Sequence, residues 1–197
     1  MNLFFLCVLV ILFAATECVA AKDLLLFPHW NISPSESHIT VAFQQMGTGV
    51  KAEFQSFSGD IVFDQDHLEQ SHVIIDVDTK SFVSGDKDRD NTAHTKEWFD
   101  TEHFPSARFE SMTFKKAEDN KYIADGTLTI KETSRPLSLP FSLSLTKLDS
   151  GNTKAQVSAD IVLDRSAFDL GIGSWADKSL IANDVALSIY MTAKKKK

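Results

Sequence analysis

Cysteine is nearly absent. The 197-residue chain has two, Cys7 and Cys18, and both fall in its first twenty residues. That stretch is also the only long apolar run. Leu3 to Ala15 is almost unbroken, and Cys18-Val19-Ala20 then offers the small-x-small pattern of a signal-peptidase site. Thirteen residues fall short of the roughly 20 that a spanning helix needs. Residues 1–20 are therefore expected to be a cleaved signal peptide, and 21–197 the exported domain. A chain starting at Ala21 holds no cysteine, so no disulfide braces it and it offers no thiol nucleophile. Its core must be large enough to stand alone, and its length permits one such domain.

Enzyme signatures are missing as well. The sequence has no Gly-x-Ser-x-Gly elbow and no phosphate loop ending in Gly-Lys-Ser/Thr. Its six histidines (29, 38, 67, 72, 94 and 103) form no His-x-x-x-His pair. His67 and His72 with Glu69 make a poor metal set, better read as a solvated turn. No metal, no cofactor and no catalytic residue is expected. Basic charge is also scarce: the exported part carries 26 acidic against 20 basic residues, which argues against a nucleic-acid partner. Four of those basic residues are Lys194 to Lys197, expected to be a frayed, solvated end. Weak attraction to anionic lipid heads is the other reading of that tail.

What the chain does have is alternation of period two. Val73, Ile75 and Val77 form one row, and Leu137, Leu139, Phe141, Leu143 and Leu145 the clearest. Val185, Leu187, Ile189 and Met191 form another. A strand sends successive side chains to opposite faces, so each row is one buried face; a helix would mix Leu with Ser on both sides. Turn signals such as Met46-Gly47-Thr48-Gly49 and Asp149-Ser150-Gly151-Asn152 separate the rows. Strands are predicted near 24–32, 37–46, 49–63, 71–79, 107–116, 121–131, 136–147, 154–164 and 184–193. The fold class is all-β: an antiparallel sandwich or barrel of about eight or nine strands around one enclosed interior. Pro140, inside the cleanest row, points to an edge or a bulge there. Residues 86–99 lack alternation and read as a short helix capped by Asp86 or Asp88. That region and 169–183 are expected at the barrel mouth.

Phenylalanine is abundant: 15 in the chain, 12 of them after residue 20. Phe43, Phe54, Phe63, Phe99, Phe109, Phe114 and Phe168, with Trp98 and Trp175, either fill a solid core or line a hollow one. One polar cluster, Asp86-Lys87-Asp88-Arg89-Asp90 followed by His94, is either a capped helix start or a place for an anionic head group. Arg165 raises the same question.

These pieces, in order, resemble the YceI-like family of periplasmic polyisoprenoid-binding proteins. The likeness runs from Trp30-Asn31-Ile32 through Phe57-Ser58-Gly59, Arg89-Asp90 and Trp98-Phe99-Asp100. It continues with Phe104-Pro105, Phe109-Glu110-Ser111, Gly126-Thr127-Leu128-Thr129-Ile130 and Arg135-Pro136-Leu137, and closes on Arg165-Ser166-Ala167-Phe168 with Gly171-Ile172-Gly173. Ser33, Glu36, Ala52 and Glu132 depart from the family pattern. The resemblance narrows the fold to a single antiparallel, lipocalin-like barrel of about eight strands and implies the periplasm as its compartment. It further implies a non-enzymatic carrier or store for an isoprenoid lipid, a polyprenyl phosphate or an isoprenoid quinone. The nine aromatics above would line its cavity, and Arg89, Arg165 and His94 would sit near the head group. It also carries a second reading: a stress-response or redox-partner protein in transient contact with the membrane surface or a membrane b-type cytochrome, with no stable ligand.

Overall fold

A computed structural model describes residues 27–196, so the expected signal peptide lies outside the described residues. Eleven strand segments are present: β1 (His29–Ile32), β2 (His38–Gln45), β3 (Thr48–Phe54), β4 (Phe57–Val62), β5 (His72–Asp78), β6 (Phe82–Val83), β7 (Ser106–Glu118), β8 (Lys121–Ile130), β9 (Thr133–Lys147), β10 (Thr153–Asp164) and β11 (Asp184–Lys195). Six of them are halves of bent strands. β1 and β2 both run along β11, β3 and β4 run back beside them, and β5 and β6 pair with that second strand. Joined this way, eight antiparallel strands follow one another in chain order. The pairing of β1 with β11 closes the sheet into a barrel.

The predicted strand over 49–63 is thus broken at Gln55–Ser56, and the first strand begins only at His29. The bends are stitched sideways. Ser81 accepts the Gln55 N–H on its carbonyl and the Ser56 N–H on its hydroxyl. Ser37, between β1 and β2, accepts the Thr192 N–H at 3.0 Å and donates to the Ser33 carbonyl. Met46 and Gly47, both with positive φ, make the tight turn between β2 and β3.

The helix is shorter than predicted: α1 spans Lys87–Ala93, and turns carry the chain on to Asp100. Asp86 is its cap, accepting the Arg89 N–H at 3.0 Å. The lysine tail also departs from expectation. Lys194 and Lys195 belong to β11 and pair with Asn31 and Trp30, and the Lys196 N–H reaches the His29 carbonyl. Their side chains are exposed, but their backbone is the seam of the barrel.

Candidate functional site

The alternating rows point inward as read, and they do not fill the space they enclose. A cavity of about 250 Å³ lies inside the barrel. Phe54, Phe63, Phe99, Phe109, Phe114 and Phe168 line it, and Arg165 is the one charged residue in its wall among the described residues. A second chamber of about 340 Å³ lies toward the mouth, lined by Phe43, Trp98 and Trp175 among others. Val41, Phe54, Phe99, Arg165, Leu170 and Val185 border both chambers. All nine aromatics named from sequence therefore face one chamber or the other. They pack as well as line. Phe63 meets Phe114, Tyr122 and Phe141 edge-on at 5.4–5.9 Å, and Phe54 meets Phe82 and Phe99 at 5.6 Å. Much of the remaining wall is aliphatic, including Ile39, Val73, Leu139 and Met191. The sequence reading named none of these as site residues, although its alternating rows contained them.

The polar groups gather at the mouth chamber. Arg89 on α1 donates from Nε to Gln45 Oε1 at 2.9 Å and from Nη1 to Ser84 Oγ at 3.1 Å. Ser84 in turn donates to Asp90 Oδ1 at 2.6 Å. Nη2 of Arg89 makes no hydrogen bond among the described residues. Asp86 and Asp88 line the same chamber. The Arg89 N–H at the helix cap holds the Asp86 carboxyl below its ordinary range. Among the described residues two buried side-chain polar atoms lack partners, Trp98 Nε1 and His94 Nε2. Trp98 borders the chamber; His94 stands behind it, outside the lining. A buried unpaired N–H is costly to leave unmade, so a ligand acceptor beside Trp98 would be stabilising.

Arg165 is differently placed. It is 4% exposed, and all five of its N–H donors are used. Nε donates to Ala182 O, Nη1 to Leu170 O and Gly171 O, and Nη2 to Trp175 O and Ile181 O, at 2.6–3.1 Å. Its guanidinium also lies 5.4 Å from the Trp98 ring centroid. Gly171, at φ +74°, brings its carbonyl to this cation where a Cβ would collide with Nη1. Burial pushes the Arg165 pKa down, and the neighbouring Asp164 opposes this. Arg165 thus pins the 165–181 loop across the mouth and has no donor left for a head group. Among the described residues no cluster of three or more His, Cys, Asp or Glu side chains could hold a metal ion.

A closed eight-stranded barrel with an apolar hollow and a polar mouth matches known proteins in fold and sequence. The YceI-like domain model matches residues 30–193. The chain belongs to the YceI-like family. UPF0312 proteins of Vibrio vulnificus and Photorhabdus laumondii are 30% and 31% identical to it over 111 and 86 residues. Those stretches cover 56% and 44% of the chain, and the same shares of the two relatives, so the chain matches about half the length of each. Burkholderia cenocepacia BcnA superposes with a TM-score of 0.73 at 28% identity, over 82% of this chain and 99% of that one. A polyisoprenoid-binding domain from Saccharophagus degradans has a TM-score of 0.63 at 13% identity, over 86% and 99% of the two chains. At that identity the likeness speaks for the YceI-like fold alone.

Proposed function

We propose that this YceI-like protein is an exported, periplasmic binding protein, not an enzyme. It holds an isoprenoid lipid in the barrel for transport, storage or sequestration. The observation that carries this reading is the pair of adjoining chambers, apolar below and polar at the mouth. A cavity of about 150 Å³ takes up benzene, so chambers of this size suit a chain on the order of 20 carbons. Each CH₂ withdrawn from water contributes roughly 0.8 kcal/mol, which is ample for retention. A domain that binds polyisoprenoids shares this fold, so the fold itself is compatible with that class of ligand.

The mouth chemistry favours a neutral head with a carbonyl acceptor, as in an isoprenoid quinone, over a phosphate. Trp98 offers a single neutral donor, and the charge of Arg89 stands beside Asp86 and Asp88. The alternative of a ligand-free stress or redox partner suits a solid interior, and this one is hollow.

The test has two steps. Protein isolated from its own periplasm is extracted with organic solvent for mass spectrometry, and lipid-free protein is titrated with menaquinone-4, whose side chain has four isoprene units. One isoprenoid per chain and quenching of Trp98 and Trp175 fluorescence are expected. Trp98→Phe should weaken binding by about tenfold, the worth of one hydrogen bond. Extraction without lipid, together with unchanged fluorescence, overturns the reading.

A further inference from the structure

The barrel wall has a gap between β9 and β10. β9 pairs with β8 along the run from Ile130↔Thr133 to Lys121↔Ser142, and β10 pairs with β11 along its length from Lys154 to Asp164. Between β9 and β10 the ladder covers only Thr153↔Lys147 to Ser158↔Ser142. Beyond it, residues 136–141 of β9 and 159–164 of β10 face each other with no backbone pairing. The gap ends at the mouth, where Arg135 donates to the Ala167 carbonyl and Thr133 to Asp169. Leu137, Leu139, Ile161 and Leu163, from both lips, line the inner cavity, so the gap opens onto it.

The sequence keeps this gap from zipping shut. Leu143 of β9 sends its N–H toward β8, to the Asn120 carbonyl. Backbone direction alternates along a strand, so positions 136, 138 and 140 turn toward β10. Two of those three are proline and have no N–H to give. Carried on in register, Pro140 would meet Asp160 and Pro136 would meet Asp164, and neither pair could exchange both hydrogen bonds. The same prolines spoil the β9 edge as a template for a partner's strand.

We propose that this gap is a side door, through which the apolar chain of the ligand enters and leaves the barrel. The proposal rests on the lipid-binding reading above. The ladders that flank the gap, β8–β9 and β10–β11, are continuous, and the mouth is crossed by the loop that Arg165 pins with five hydrogen bonds. Passage through the gap breaks no backbone pair. It also lets a chain longer than the chambers lie partly outside them, between the lips.

Two measurements test the door. The first needs no lipid. Amide exchange at Ser138, Asp160 and Val162, whose N–H groups face the gap, should be about a hundredfold faster than at Leu139 and Ile161, which face paired strands. Equal protection would mean a closed wall and overturn the proposal. The second joins the outward lips. Ser138→Cys with Val162→Cys is linked by a short bis-maleimide carrying a reducible disulfide. Uptake of menaquinone-4 from phosphatidylcholine vesicles is then followed by Trp fluorescence. Linking should slow both uptake and release about tenfold or more while leaving affinity unchanged, and reductant should restore the rates. The same link placed on the paired wall, through Asp160→Cys and Ser188→Cys, should change neither. Equal rates with and without the lip link overturn the door alone. No uptake by the unlinked protein overturns the lipid-binding reading, and the door with it.

Discussion

Ser37 and the two arginines show what a single residue takes from its surroundings. Ser37 is 4% exposed, and its hydroxyl accepts the Thr192 N–H where β1 bends into β2. Ser37→Ala leaves that N–H buried and unpaired. A loss of about 1–3 kcal/mol is expected, read as a lower urea midpoint at unchanged slope. A midpoint within error of the parent would mean that water replaces the hydroxyl. Arg89 and Arg165 are the same residue type, each near a predicted mouth loop, and residue type alone does not tell their roles apart. The difference lies in how residues 165–182 fold back on themselves, which brings the carbonyls of Leu170, Ile181 and Ala182 to Arg165. Trp98 was nameable as a lining aromatic, but its unpaired N–H was not, because that depends on what fails to reach it.

Among the elements, alternation located the strands and missed their bends. A strand broken at Gln55–Ser56 keeps its inward and outward sides, so its hydrophobic pattern runs through the break. Pro140 read as an edge marker, and the gap beside β9 is that edge. The lysine run read as a loose end because composition carries no information about partners. The backbone of Lys194 and Lys195 instead completes β11 against β1. Deleting residues 194–197 removes the pairs with Asn31 and Trp30 and the bond to His29. Stability should fall by about 1–3 kcal/mol, measured by urea denaturation. Replacing the four lysines by serine should cost much less, since the backbone does the pairing. Equal losses from the two changes would assign the effect to charge.

For the whole molecule the decisive quantity is empty volume. Val157 is a half-buried residue of the inner wall. Val157→Phe adds bulk to the hollow rather than to a filled core, so the fold should survive with a change of no more than about 1–3 kcal/mol. Menaquinone-4 affinity should fall about tenfold or more, read by the same fluorescence titration. A variant that binds as tightly as the parent would place the chain elsewhere. The sequence by itself determined that the chain is all-β, which side chains face inward and which aromatics border the interior, because strand periodicity is local. It also placed a proline where the wall would open. Only the tertiary structure decided that the interior is hollow and divided in two, that Arg165 is spent on the backbone while Arg89 keeps a free end, and that two neighbouring strands part. Volume and strand separation are set by how distant segments meet when the barrel closes, and donor saturation by how one loop folds back on its own arginine; hydrophobic periodicity records neither.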